Sequence, residues 1–481
     1  MNHKMVVKLL CHMLWAEAVL MLPSLILSLF HREWNGATGF AVAIGLLLLF
    51  GLPGVLIRPK DRVIYAREGM VIVALSWILL SAFGALPFYF SGAIPRYINC
   101  FFETVSGFTT TGATILAEIE SLPRGILFWR SFTHWVGGMG VLVFVLAIVP
   151  LAGDRSMHLM RAEVPGPTVG KLVPRVRSTA MILYGIYIAM TVVEVIFLLA
   201  GGMPLYDSVV TAFSTAGTGG FGVKNASIAA YGSAYIEWVV TIFMALFGIN
   251  FNLFYFILLG QVGRAFRSEE LRWYLGIILV CTLAIAIDIL PLYSGFGEAV
   301  RYSAFEVSST ITTTGFVTAN YDLWPVFSRT IILLLMIVGA CAGSTGGGIK
   351  VVRLIMMVKI ARRELKRMIH PRSVSQIKVE GRPVEEETLK GVSAYLCLYA
   401  LIACGAMLLI SFDRLNIEET LSAVITCLGN VGPGFGVVGP VGNFSTLSVF
   451  SKLVLSAAML VGRLEIFPMA MLCVPSVWRK K

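Results

Sequence analysis

Charge is scarce in this sequence. Asp, Glu, Lys and Arg make up 14% of its 481 residues and 57% are hydrophobic, whereas an average soluble domain carries about 25% charged residues. That balance excludes an ordinary water-soluble domain. Material for metal or disulfide chemistry is also thin. The eight cysteines (Cys11, Cys100, Cys281, Cys341, Cys397, Cys404, Cys427, Cys473) are scattered, mostly inside apolar spans, with no CxxC pair and no Cys/His spacing suited to zinc. They read as small buried hydrophobes. The six histidines form no HExxH or similar ligand set. No nucleophile–base pair suggests an enzyme. Two nucleotide look-alikes fail on context: Gly217-Thr-Gly-Gly-Phe-Gly222 spells GxGxxG but follows no parallel strand, and Gly343–Lys350 has Ile349 where a phosphate loop requires lysine.

What the chain does have is long apolar runs. Ile182–Ala200, Trp238–Leu259 and Ile331–Ala342 with its flanks are long enough for a hydrocarbon core that needs roughly 20 helical residues. Leu9–Phe30 is too long for a cleaved signal and is followed by another span at Phe40–Leu56. The net charge of +11 comes largely from alternate connections between spans: the N-terminus, Arg58–Arg67, Arg155–Arg177, Arg264–Arg272, Lys350–Lys390 and Arg479–Lys481 hold 28 of the 38 Lys and Arg. This is the positive-inside pattern. It assigns both termini and these loops to the cytoplasm, with membrane lipids rather than nucleic acid as the anionic partner.

The chain repeats itself. Phe102-Glu-Thr-Val-Ser106-Gly-Phe-Thr-Thr-Thr-Gly112 and Phe305-Glu-Val-Ser-Ser309-Thr-Ile-Thr-Thr-Thr-Gly315 share Phe-Glu at the start, Ser in the middle and Thr-Thr-Thr-Gly at the end. Weaker copies end at Ala216-Gly-Thr-Gly219-Gly-Phe and Gly429-Asn-Val-Gly432-Pro-Gly, which puts the four glycines 107, 96 and 117 residues apart. In each copy an apolar span comes first (about 69–88, 179–200, 273–292 and 391–410). A half-length segment, a second span (about 127–150, 235–260, 327–360 and 446–472) and a basic loop follow. With two further spans in front, ten crossings are expected.

A half-length segment is too short to cross and reads as re-entrant. Non-helical backbone at membrane depth survives only where it is buried in protein or lines a watery cavity. Four such loops around one axis can offer a ring of carbonyls that replaces the hydration shell of a monovalent cation. The expected contributors are Thr110, Thr111 and Gly112; by register Gly217, Thr218 and Gly219; Thr313, Thr314 and Gly315; and Asn430, Val431 and Gly432. Glycine suits carbonyls that point inward from unusual dihedrals, and the C-terminal ends of the preceding helices favour a cation. No Asp or Glu ring marks a divalent site. Close packing of small residues is the bland alternative for any one cluster.

These repeats resemble those of the Trk/Ktr/HKT superfamily of cation transporters. The residues that carry the likeness are His134-Trp-Val-Gly-Gly-Met-Gly140, Asn250-Phe-Asn-Leu-Phe-Tyr255, Ala342-Gly-Ser-Thr-Gly-Gly-Gly-Ile-Lys350 and Gly462-Arg-Leu-Glu-Ile-Phe467, together with the four glycine loops. The two extra N-terminal spans are similar to the TrkH type within it. Glycine in all four loops matches potassium-selective members, whereas sodium-conducting plant relatives carry serine where this chain has Gly112. Gly217 and Asn430-Val431 depart from Thr-Thr-Gly, so the ring is only pseudo-fourfold.

The implied fold is all-α and integral to the membrane. Four M1–pore loop–M2 repeats surround a pseudo-fourfold pore, preceded by two extra transmembrane helices (1–65; repeats at 66–178, 179–272, 273–390 and 391–481). The glycine run Gly343, Ser344, Thr345, Gly346, Gly347 and Gly348 breaks the second span of the third repeat. The resemblance implies an intramembrane gate there, against the plainer reading of a packing kink. Arg463, inside the apolar run Met459–Met469, is the expected cationic barrier below the filter, with an Arg463–Glu465 pair as the structural alternative. The implied activity is potassium uptake through a gated, channel-like pore in a bacterial inner membrane. The implied partners are a second copy of the chain (a homodimer) and a cytosolic TrkA-like nucleotide-binding regulatory subunit docked on the basic loops. No cofactor is expected in this chain, and NAD or ATP would act only through that partner. A symporter coupling potassium to protons or sodium stays open because Glu194 and Asp288 lie inside spans. So does a non-conducting receptor or scaffold.

Overall fold

The computed structural model describes residues 1–57, 64–140, 176–372 and 376–478. The end of the first repeat's second span, nearly all of the Arg155–Arg177 loop, most of Arg58–Arg67 and the final Arg479–Lys481 lie outside the described residues. The secondary structure of the described chain is helical apart from an antiparallel hairpin of two-residue strands, Lys378–Val379 with Arg382–Pro383, and one isolated bridge. Six helices are long and apolar enough to cross a membrane, and a bent pair makes a seventh. In the leading helices Met181–Ala200, Glu269–Leu292 and Glu386–Asp413 only 22–28% of the apolar window is buried inside the protein. Val192, Ile196, Val280, Ile287, Leu401 and Leu408 face outward. Apolar surface of that extent is stable against lipid and not against water. This is an all-α membrane protein.

His3–Phe30 and Trp34–Gly51 form an antiparallel pair at the N-terminus. Four similar groupings follow, each with a long leading helix and then a shorter buried one. The shorter helices are Tyr97–Phe108, Leu205–Gly217, Phe296–Ile311 and Ile417–Gly429.

The expected second spans differ from expectation: three of the four are broken, and the end of the first lies outside the described residues. They are Arg124–Gly138, Ala234–Phe247 bent by 94° into Phe251–Leu258, Val326–Ile337 parted from Val351–Ile369, and Val449–Arg463 followed by Phe467–Leu472. Local chemistry explains each break. Gly248 ends a helix against the Tyr274 hydroxyl and Asn250 caps the next by accepting from the Asn252 amide at 3.0 Å. Glu465 and Ile466 take left-handed φ angles of 54° and 70° just before Pro468. The break in the third unit runs from Val338 to Lys350, wider than the glycine run alone, and its two edges meet in a parallel bridge between Val338 and Ile349. Among the described residues no ion pair joins Arg463 to Glu465. The Glu465 carboxylate is bonded instead by Arg353, whose guanidinium lies over the Tyr395 ring at 3.9 Å.

The repeated Phe-Glu acquires a structural meaning. Phe102 and Phe305 are fully buried, and each following carboxylate reaches the backbone that returns from its helix. Glu103 accepts from the Ile115 amide (2.9 Å), the Thr114 hydroxyl (2.9 Å) and Arg130 Nε (2.6 Å). Glu306 accepts from the Thr318 amide at 2.8 Å, at the same spacing of twelve residues. Arg130 is itself buried; it donates to the Gly222 carbonyl at 3.1 Å and stacks on Phe221 at 3.5 Å. Removing one partner of a buried ion pair strands the other charge at a cost of about 3–5 kcal/mol. Arg130→Met is therefore expected to lower the thermal midpoint in detergent substantially. Lys224→Ala breaks only the exposed Lys224–Glu120 pair and should leave the midpoint nearly unchanged. Equal shifts in the two variants would refute this assignment.

Candidate functional site

Each of the four short helices ends in the same backbone figure. An amide two or more residues past the helix bonds back five residues at 2.8 Å: Thr111 to Ser106, Gly219 to Ser214, Thr314 to Ser309 and Val431 to Thr426. The residue before that amide is left-handed (Thr110 φ 55°, Thr218 55°, Thr313 59°, Asn430 57°), and so is the glycine after it (Gly112 80°, Gly220 75°, Gly315 82°, Gly432 109°). The geometry corrects the register expected for the second loop by one residue. Thr218, Gly219 and Gly220 correspond to Thr110, Thr111 and Gly112, while Gly217 is the last residue of its helix. The pair Gly220-Phe221 parallels Gly315-Phe316 in sequence, a signal outweighed by the Gly-Thr-Gly spelling.

The four loops close into a ring. A Cβ on Gly112 would lie 2.1 Å from the Gly219 carbonyl oxygen, on Gly220 2.2 Å from that of Thr314, on Gly315 2.2 Å from that of Val431, and on Gly432 2.6 Å from that of Thr111. Every glycine thus faces the carbonyl of the middle residue in the next loop, and the fourth returns to the first. Only a residue without a side chain fits that approach. Thr110, Thr111, Thr218, Thr313, Thr314 and Asn430 are fully buried. Asn430 also donates to the Thr111 hydroxyl and to the Met459 carbonyl, both at 3.0 Å, and so ties the fourth loop to the first.

Residues after the glycines line a cavity of about 150 Å³ that Gly112, Gly220, Gly315 and Gly432 all border. Residues before them meet the broken segment. The Gly347 amide donates to the Thr313 hydroxyl at 2.7 Å, a Cβ on Gly346 would sit 3.0 Å from the Thr312 carbonyl oxygen, and one on Gly347 2.8 Å from that of Gly429. Gly343 and Gly348 are left-handed at 73° and 67°. Ser344 donates to the Cys341 carbonyl and Thr345 to that of Phe247. Arg463 reaches this segment from the other side, donating to the carbonyls of Thr345 (2.7 Å) and Gly137 (2.7 Å).

Two charged residues of this site escaped the sequence reading. Lys350, counted there with the basic loop, is buried, and its ammonium bonds the carbonyls of Gly346 and Gly347. Glu270, at the start of a leading helix, accepts from the amides of Ala342 (2.7 Å) and Val352 (3.1 Å) with one carboxylate oxygen. The lysine directly behind three glycines was the available clue; nothing local marked Glu270. Asp288 is occupied in accepting from the Ser328 amide and hydroxyl at the start of Val326–Ile337.

Comparison with known proteins finds the TrkH family model, a cation transport protein, matching residues 39–287 and 294–480. This chain belongs to the TrkH family. Among TrkH relatives, the Trk system potassium uptake protein TrkH of Salmonella typhimurium is 37% identical over 474 residues, covering 96% of each chain. That of Vibrio parahaemolyticus is 34% identical over the whole of both. The crystal structure of the potassium transporter TrkH from Vibrio parahaemolyticus superposes with a TM-score of 0.90 at 32% identity, covering all of both chains.

The register can be tested on stability alone. Gly220→Ala forces a left-handed alanine, at about 1–2 kcal/mol, and drives its methyl into the Thr314 carbonyl. Gly222→Ala meets nothing closer than 3.9 Å. The first is expected to lower the thermal midpoint and the second to leave it unchanged; equal midpoints would contradict the assignment of Gly220 to the ring.

Proposed function

We propose that this TrkH-family chain takes up potassium across a bacterial inner membrane through a gated, channel-like pore. The observation that carries the reading is the cyclic approach of the four loops, each glycine against the next loop's carbonyl. Carbonyls of Thr110, Thr111 and Gly112, of Thr218, Gly219 and Gly220, of Thr313, Thr314 and Gly315, and of Asn430, Val431 and Gly432 would replace the water shell of an entering ion. The short helices end at this ring, so their partial negative charge favours a cation. Potassium would enter from the cavity on the glycine side, pass the ring and meet Val338–Lys350. There the backbone and the two cations Arg463 and Lys350 would oppose passage until the segment moves. The relatives' names, Trk system potassium uptake protein, support the choice of ion.

The same reading gives the chain both termini in the cytoplasm, a homodimeric state and a TrkA-like nucleotide-binding partner on its basic loops. Lys350 and Arg353 are unavailable to that partner because they are buried. Coupled symport with protons or sodium is the second reading. It rests on Glu194, fully buried in the helix Val176–Ala200. Under imposed proton or sodium gradients a pure channel's reversal potential follows potassium alone.

Flux into proteoliposomes of the purified chain tests the pore. Gly112→Ser would press a side chain onto the Gly219 carbonyl and should lower the potassium-to-sodium ratio; an unchanged ratio in a folded variant would remove Gly112 from the filter. Arg463→Ala should raise potassium flux by about tenfold or more, since ~1.4 kcal/mol off a barrier is a factor of ten. Unchanged flux would remove Arg463 from the gate.

A further inference from the structure

Val338–Lys350 is held by more than the ring above it. One oxygen of the buried Glu270 carboxylate accepts from Ala342 on one side of the glycine run and from Val352 on the other. It closes the segment as a clasp closes a loop. Glu270 is in turn fixed from outside the apolar layer by the Lys378–Pro383 hairpin. At its turn the exposed Glu380 accepts from the Glu270 amide at 3.1 Å and from the Ser268 hydroxyl at 2.8 Å, and that hydroxyl caps the same helix by accepting from Leu271. Val379 of the hairpin belongs to the same small apolar cluster as Ala342, Val352 and Met356, which includes residues from both edges of the break. Lys359 completes the junction, pairing with Glu269 and donating to the Lys378 carbonyl at 2.7 Å.

We propose that Glu270 is a positioning residue that holds both ends of the intramembrane segment in its blocking conformation, and that the Lys378–Pro383 hairpin controls that hold through Glu380. The inference rests on the reading of Val338–Lys350 as the gate. Two amides, one from each edge of the break, converge on a single oxygen of Glu270, so one side chain holds both ends. Withdrawing the carboxylate frees the two edges together and leaves the lysine and arginine contacts of the loop without a fixed frame. The hairpin offers a ligand or partner a way into this network, because Glu380 is exposed while Glu270 is 6% exposed. Two groups acting in series through one element are expected to show non-additive variants.

The test uses the full purified chain and reads two things. The first is maleimide labelling of Cys341, which is fully buried inside the segment, resolved from the other cysteines by peptide mass spectrometry. The second is potassium and sodium flux in proteoliposomes. Glu270→Ala is expected to raise both Cys341 labelling and potassium flux by about tenfold with the potassium-to-sodium ratio unchanged. Glu270→Gln retains a neutral acceptor and should fall between it and wild type. Glu380→Ala should move both readouts in the same direction, and the double variant Glu270→Ala/Glu380→Ala should equal Glu270→Ala alone. A merely structural glutamate would lower thermal stability without that ordered series. Should Glu270→Ala fail to fold, Glu270→Gln and Glu380→Ala carry the result. Unchanged labelling in both, or additive effects in the double variant, overturns the proposal. Arg463→Ala in the same assay separates the two levels. If it conducts while the glutamate variants match wild type, the clasp is wrong and the pore stands. If no variant conducts, the pore reading fails, and Cys341 labelling still decides whether Glu270 positions the segment.

Discussion

A peptide group that leaves a helix inside a hydrocarbon layer must find another partner, because no water is there to take its place. Most of this structure follows from meeting that requirement four times around one axis. The returning backbone of the first and third loops is bonded by Glu103 and Glu306. The amide at the start of each loop is bonded by a carbonyl five residues earlier. Where carboxylates are buried to do this, at least one needs its own counter-charge, and Arg130 supplies it to Glu103 while also reaching the second loop's Gly222. That guanidinium is one of the links that set the first and second loops relative to each other.

The same requirement shapes the broken segment beneath the ring. A run with three glycines frees several carbonyls at once, and Lys350 meets those of Gly346 and Gly347 while Arg463 meets that of Thr345. Cations satisfy carbonyls well. Here they also place positive charge next to the ring of oxygens, which connects the local bonding problem to the proposed barrier. A segment satisfied this way has few intrinsic helical contacts and many external ones, so its conformation is set by its neighbours. Such an element can be held or released by small changes at its edges.

Much of this was legible along the chain. Apolar spans, alternating basic connections and the Phe-Glu and Thr-Thr-Thr-Gly repeats depend on residue type and spacing alone. The misread portions depended on shape. In sequence the second loop reads one residue early because Gly217, Gly219 and Gly220 all satisfy a glycine requirement, and only left-handed φ at Thr218 and Gly220 distinguishes them. The second spans read as continuous because their apolar content continues through Gly248-Ile249-Asn250 and Leu464-Glu465-Ile466. Hydropathy does not register a bend. Glu465 stood beside Arg463 in sequence, yet residues two apart point to different faces of a helix, and its partner proved to be Arg353 from another unit.

The sequence by itself determined that the protein lives in a membrane, is built of helices, and repeats a glycine-ended half-span four times, because lipid imposes length, polarity and periodicity on every stretch independently. Which carbonyl each glycine faces, which cations hold the glycine run, and the reach of Glu270 to amides some 70 to 80 residues away were decided only by the tertiary structure. Most of those contacts join residues from different units, and their energies exist only once the helices have packed and excluded every competing partner.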